Sequence, residues 1–237
     1  MKNNFMVTVC IATYNGEKYI SEQLNSILPQ LSLSDEIIIS DDHSTDKTLE
    51  IIKSFEDNRV KIFMNENKKG YSKNFENAIT KAAGDYIFIC DQDDVWMDNK
   101  VDMMIDALST TSLVVHNASI VDCDLNLTNN SHFDLYNVKK GFLNNFLKTR
   151  YVGACMAFKK DILQKALPFP PNQKLCAYDY WLTLIAEYYF SVALVYEPLI
   201  KYRRHDKNAS TGGVKSNNTL IKKISMRVYS FYHLLKK

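Results

Sequence analysis

Asp91, Asp93 and Asp94 put three carboxylates within four residues. Such neighbours repel one another unless a cation or solvent offsets them, and hard oxygen ligands on a tight loop suit Mg²⁺ or Mn²⁺. These ions typically take one or two carboxylates together with oxygens of a phosphate-bearing substrate. A Ca²⁺ loop does not fit. Val95 occupies the next alternate ligand position, no Gly follows, and Asp102 rather than Glu holds the twelfth place. A solvated acidic turn is the plain alternative. Two further polar clusters stand earlier in the chain, Thr13-Tyr14-Asn15-Gly16 and Asp41-Asp42-His43-Ser44-Thr45-Asp46. Helix capping accounts for Ser44, Thr45 and Asp46. The chain carries neither G-x-G-x-x-G nor G-x-x-x-x-G-K-[ST], so a dinucleotide-binding turn and a P-loop are both unsupported.

These clusters matter because of what precedes them. Phe5 to Ala12, Glu36 to Ser40, Val60 to Met64 and Tyr86 to Cys90 are short β-branched or aromatic runs, which predict buried strands. Between them apolar residues recur at helical spacing: Ile20, Leu24, Ile27, Leu28 and Leu31; Leu49, Ile52 and Phe55; Phe75, Ala78, Ile79 and Ala82. Val101, Met104, Ile105 and Leu108 lead into a further strand, Leu113 to His116. Repeated strand, helix, strand predicts a parallel sheet covered on both faces, and open parallel sheets bind ligands beyond the carboxyl ends of their strands. Each polar cluster follows such an end. Beyond Ile120 the order becomes mixed. Asn126 to Asn137 reads as an exposed loop, Tyr151 to Phe158 as a strand and Asp161 to Leu167 as a short helix. Asp179 to Tyr189 reads as a helix and Val192 to Tyr196 as a strand stopped near Pro198.

The chain of 237 residues is 46% hydrophobic and 24% charged, ordinary globular usage that excludes a collagen-like or mainly disordered chain. Its five cysteines show no C-x-x-C or metal-type spacing, which argues against a disulfide scaffold or zinc site and for a reducing compartment. The net charge of +2 hides an asymmetry: residues from Lys201 onward carry +9 and the first 200 carry −7. No apolar stretch approaches the 18 to 20 residues that span a bilayer, and the N-terminal run lacks a cleavage signal, so a cytoplasmic protein is expected. We divide the chain into one α/β domain over 1–215, comprising 1–118 and 119–215, and a C-terminal amphipathic helix over 216–237.

Thr13-Tyr14-Asn15, Asp41-Asp42-x-Ser44-x-Asp46, the Asp91-x-Asp93 pair and Tyr202-Arg203-Arg204-His205 together resemble the family 2 glycosyltransferases, in order and interval, over nearly the whole chain. The resemblance implies a GT-A fold, a Rossmann-like mostly parallel central sheet with helices on both faces. It implies transfer of a sugar from a nucleotide donor with inversion. It assigns Thr13, Tyr14 and Asn15 to the nucleotide-binding first loop and Asp42 to the donor base, with Glu17, Asn74 and Gln92 also on the donor. Asp91 and Asp93 become the DxD motif, in which the second Asp meets Mn²⁺ or Mg²⁺ and the first meets ribose or a water. His205 becomes a late metal-side residue, although a lone His among arginines is also read as solvent-exposed. Gly153 and Trp181 are assigned to the acceptor side, with a packing Gly in a buried strand as the equal alternative for Gly153.

Transfer to a hydroxyl requires a carboxylate within hydrogen-bond reach of it. Asp179, in Ala177-Tyr178-Asp179-Tyr180-Trp181-Leu182, matches the family's Glu-Asp-containing helix start, with Tyr178 where Glu or His is usual. A helix N-terminus would hold Asp179 ionised while lowering its basicity; N-capping is the alternative role. Cys155 lacks a partner His motif and is read as structural.

In the tail, Leu220, Ile224, Val228, Phe231 and Leu235 share one helical face beside Lys222, Lys223, Arg227, Lys236 and Lys237. A basic amphipathic helix suits peripheral contact with the inner face of an anionic plasma membrane, each nearby cation contributing about 1 kcal/mol. Packing on its own domain or a second subunit is the alternative; nucleic acid is not supported. The expected donors are a UDP-hexose or dTDP-rhamnose and the acceptor a lipid-linked glycan of bacterial surface polysaccharide. Without Gln-x-x-Arg-Trp or membrane spans, one sugar per encounter is expected. A sugar nucleotidyltransferase and a non-catalytic nucleotide-sugar-binding module remain the rival readings.

Overall fold

The four early apolar runs become Val7–Thr13 (β1), Glu36–Asp41 (β2), Val60–Met64 (β3) and Tyr86–Cys90 (β4), paired in parallel in the order β3-β2-β1-β4. Ile20–Ile27 (α1), Thr48–Lys53 (α2) and Tyr71–Thr80 (α3) connect them. Consecutive residues Val9, Cys10 and Ile11, and likewise Ile37, Ile38 and Ile39, are all buried, which requires cover on both faces of the sheet. The computed structural model describes residues 5–66, 69–206, 208 and 218–237. The expected boundary at 215/216 and Lys207 lie outside the described residues.

The second half enlarges this sheet. Val95–Trp96 (β5), Lys100–Thr110 (α4), Leu113–Val121 (β6) and Leu127–Asn129 (β7) precede two short helices, His132–Tyr136 (α5) and Phe142–Lys148 (α6). Met156–Lys159 (β8), Leu163–Ala166 (α7), Tyr178–Tyr189 (α8), Val192–Arg203 (β9) and Leu220–Leu234 (α9) follow. The strand order continues as β4-β8-β6-β9-β5, with β7 on β6. β8 runs antiparallel to both β4 and β6, so the strand at Leu113 is not β4's neighbour. The sheet is therefore mixed, with the parallel part holding the first three polar clusters at one edge.

Several expected elements differ in detail. Residues 126–137 are not a bare loop: Leu127–Asn129 pairs with β6, and Ser131 caps α5 by accepting from Asp134 N. Only the end of Tyr151 to Phe158 is extended, because Gly153–Cys155 forms a 3₁₀ turn first. β9 passes through Pro198 rather than stopping there. Asn117 faces Pro198 where the β6–β9 register shifts, and a proline's missing N–H is tolerated at such an irregularity.

Candidate active site

The first loop after β1 is knitted to the loop after β2 by side chains that accept from or donate to backbone. Thr13 Oγ1 donates to Asp41 Oδ2 at 2.7 Å; Ser44 Oγ accepts from Asn15 N and Asn15 Oδ1 from Thr45 N. Glu17 N donates to Asp46 and Lys47 N returns a bond to Glu17 Oε2 at 2.9 Å. Asn15 sits at φ 47, a left-handed conformation that Asn tolerates. Asp46 accepts from the Glu17 and Thr48 backbone, but α2 has Lys47 at its N-cap with no side-chain cap hydrogen bond, so Ser44, Thr45 and Asp46 tie the two loops together and do not cap the helix as expected.

The acid turn after β4 is tied to the same loop. Tyr14 N donates to Gln92 Oε1 at 2.9 Å, and Gln92 Nε2 donates to Tyr14 O at 3.1 Å. A side chain at Gly16 would come within 2.7 Å of Gln92 Cδ and would displace the amide that holds Tyr14. Asp42 lies at the back, its two oxygens accepting from Asn65 Nδ2 and Gly70 N at 2.7 and 2.9 Å. Asn74 Nδ2 donates to Thr13 O, while its buried Oδ1 is without a partner among the described residues.

Asp91, Asp93 and Asp94 bring one carboxylate oxygen each within 4.8 Å of one another. His205 Nε2 and Asn208 Nδ2 reach Asp93 Oδ2 at 2.8 and 3.0 Å, and the His205 ring stacks on Tyr19. Asp94 Oδ1 accepts from Arg203 N; its Oδ2 is buried and without a hydrogen-bond partner among the described residues. Burial, then the charges of Asp93 and Asp179, push the Asp91 carboxyl up to about 7. Burial also raises Asp93, against the nearby His205 that lowers it, and raises Asp94 well above the usual range. Three crowded carboxylates of reduced acidity offer oxygen ligands that could hold a hard divalent cation. Mg²⁺ or Mn²⁺ fits them.

Beneath the turn lies Lys100, fully buried, with Nζ 3.2 Å from Ala154 O and 4.1 Å from the Trp96 ring centroid. Burial lowers it to about 8, while Cys90, Cys155, Asp94 and Asp91 pull the other way. Arg203, also buried, donates to Asp93 O and Cys123 O, pairs with Glu22 and lies over Tyr19. Neither cation's role was visible in the sequence, because both lie far from the acids or on their inner side. Asn208 escaped notice for the same reason.

Asp179 begins the first turn of α8, its Oδ1 accepting from Tyr180 N at 2.8 Å. Burial raises its pKa more than that bond lowers it, the reverse of the expected helix-terminus effect. Tyr178 beside it is buried and stacks on Phe75. A Cβ on Gly153 would overlap the Tyr178 hydroxyl and come within 2.7 Å of Cζ. Gly153 thus makes room for Tyr178, in line with the packing alternative. Trp181 corrects another expectation. It is fully buried, donates from Nε1 to Ala166 O at 2.7 Å, and is not on the cleft wall. On α8 it points from Asp179 into the core.

Thr13, Tyr14, Asn15, Glu17, Asp42, Asn74, Asp91, Gln92, Asp93, Gly153, Asp179 and His205 line one cleft of about 1940 Å³. Its far wall carries Lys148, Arg150, Lys223 and Arg227, contributed by or beside α6 and α9. The volume exceeds the ~300–1,000 Å³ of common small-ligand sites and suits two substrates together.

A carboxylate cluster at the strand ends of a mixed sheet, facing a partly buried acid across a large cleft, is the layout of a GT-A-like transferase. Residues 8–167 match the model for glycosyl transferase family 2. The chain belongs to that family and is a glycosyltransferase by membership. It is 26% identical to the Escherichia coli UDP-Glc:α-D-GlcNAc-diphosphoundecaprenol β-1,3-glucosyltransferase WfgD, over 90% of this chain and 83% of that one. It is 31% identical to the Shigella flexneri dTDP-rhamnosyl transferase RfbG, over 84% and 72%. S. aureus TarS 1–349 in complex with UDP-GlcNAc aligns with TM-score 0.70 at 18% identity, over 94% of this chain and 65% of that chain. The Pyrobaculum calidifontis mannosyltransferase PcManGT, in complex with GDP-Man and Mn²⁺, aligns with TM-score 0.66 at 19% identity, over 100% and 66%. This chain thus spans about two thirds of those solved chains, and the likeness is one of fold.

Proposed function

We propose that the protein is a metal-dependent, inverting and non-processive glycosyltransferase of bacterial surface-polysaccharide assembly. It moves one sugar from a UDP-hexose or dTDP-rhamnose to a hydroxyl of a lipid-linked glycan. The observation that carries this is the placement of Asp93 with His205, and of Asp179, on one cleft. The relatives' named substrates, a diphosphoundecaprenol glycan for WfgD and a dTDP-rhamnosyl donor for RfbG, support the substrate classes.

In this reading the first loop and Asp42 hold the nucleoside, with the unpartnered Asn74 Oδ1 free to accept from it. Asp93 and His205 would hold Mg²⁺ or Mn²⁺, with Asp91 directed to ribose or a metal-bound water. When bound, the cation supplies charge neutralisation for the departing nucleoside diphosphate. Asp179, its basicity increased by burial, takes the proton from the attacking acceptor hydroxyl. A raised carboxyl is better suited to this than one held strongly ionised.

The test is a panel of nucleotide sugars with Mn²⁺, read by thermal shift, with identification of the nucleotide released on turnover. Stabilisation by one donor and release of its nucleoside diphosphate support the reading. Release of pyrophosphate from a nucleoside triphosphate would instead establish a nucleotidyltransferase, and binding without turnover a non-catalytic module.

A further inference from the structure

The C-terminal helix packs by a face that flanks its apolar stripe. Ser230 and Leu234 are buried, Tyr229 Oη accepts from Asn172 N, Tyr189 Oη donates to Leu234 O, and Arg227 donates to Leu147 O. Leu220, Ile224, Val228, Phe231 and Leu235 remain between 41% and 73% exposed. The stripe continues onto α6, where Leu143 and Leu147 are 71% and 67% exposed and Phe146 meets Phe231 at a ring-centroid distance of 5.9 Å. A contiguous apolar surface spanning two helices marks an interaction site.

Its charge selects the occupant. Residues 218–237 contain five Lys or Arg and residues 135–150 contain four, with no Asp or Glu in either segment, and Glu187 beside α6 is tied to Gly141 N and Asn145 Nδ2. A second copy docked symmetrically would oppose one predominantly basic surface to another, which like-charge repulsion disfavours. An anionic bilayer meets both properties at once, since its headgroups attract the cations and its acyl boundary admits the apolar stripe.

We propose that the joint face of α6 and α9 docks the protein on an anionic lipid bilayer. The same two helices turn Leu147, Lys148, Lys223, Met226 and Arg227 towards the cleft. Docking therefore holds the basic cleft wall next to the headgroup layer. That this brings a lipid-linked acceptor to Asp179 rests on the proposed function; the docking itself does not.

The experiment is co-sedimentation of the full chain with phosphatidylcholine vesicles and with vesicles containing about 30 mol% phosphatidylglycerol, at low and high salt. Ile224→Ser/Val228→Ser and Leu143→Ser are compared with the parent, with circular dichroism to verify helix content. Selective binding to anionic vesicles, weakened by salt and about tenfold by each variant, is expected. Absence of binding, or variants that bind like the parent, overturns the proposal. So does concentration-dependent dimerisation in sedimentation velocity that the variants abolish without any vesicle binding. Turnover is not the readout, so loss of the glycosyl-transfer reading would leave this result intact.

Discussion

His205 Nε2 lies 2.8 Å from Asp93 Oδ2 although 112 residues separate them. β9 makes the contact possible, since it pairs with β5 just beyond the acid turn and its last residue, Arg203, bonds Asp94 and Asp93. Second-half backbone thereby closes the side of a site whose floor belongs to the first half.

Asp179→Asn keeps the shape of the side chain and removes the proton acceptor. Transfer should fall by about 10²- to 10⁴-fold with the donor's dissociation constant unchanged. Turnover near the parent rate in steady-state assays would remove Asp179 from the mechanism.

The acid turn links cation, proton and stability. The pKa values of Asp91, Asp93 and Asp94 are all raised, so each holds its proton more tightly in the folded chain than in the unfolded one. The stability they confer is complete below the ordinary carboxylate range and lost as pH rises through about 7, the Asp91 value. In EDTA the melting temperature should therefore fall over that interval. Mn²⁺ binds the deprotonated form, so its stabilising shift should be larger at about pH 8 than at about pH 5. Asp93→Ala should remove most of that shift; a shift that survives the substitution contradicts the metal assignment.

Gly153→Ala sets a methyl group against the Tyr178 ring. Overpacking of this kind costs about 1–3 kcal/mol, measured by urea denaturation. In a double-mutant cycle Tyr178→Leu should recover part of the loss. Additive losses would mean that the two residues do not share the space.

Trp181→Phe tests the correction at α8. Loss of the indole bond to the Ala166 carbonyl should lower stability by about 1–3 kcal/mol and leave the acceptor KM unchanged. A selective rise in acceptor KM at normal stability would restore the acceptor-side assignment.

The parallel half was legible because Val, Ile and Phe runs alternate with helical spacing, and each polar cluster then falls at a strand end. β7 was not, since Leu127–Asn129 is mostly exposed and is held only by its edge pairing with β6. Pro198 misled because its tolerance depends on a register shift in a partner strand, which one strand's residues do not reveal. Among the site residues, Trp181 sits two positions from Asp179, and on a helix that interval turns a side chain away from its neighbour's face. The burial of Lys100 and of Arg203, although Arg203 stands in the late Tyr202–His205 element, was not legible because charge counts carry no information about depth.

Gln92 stands between Asp91 and Asp93 and grips both polar atoms of the Tyr14 peptide. The acid turn and the first loop are consequently one mechanical unit: a displacement of either drags the other. Seating of a cation and fitting of a nucleoside would then register as a single adjustment rather than two, and neither half of the donor could be gripped correctly while the other was misplaced.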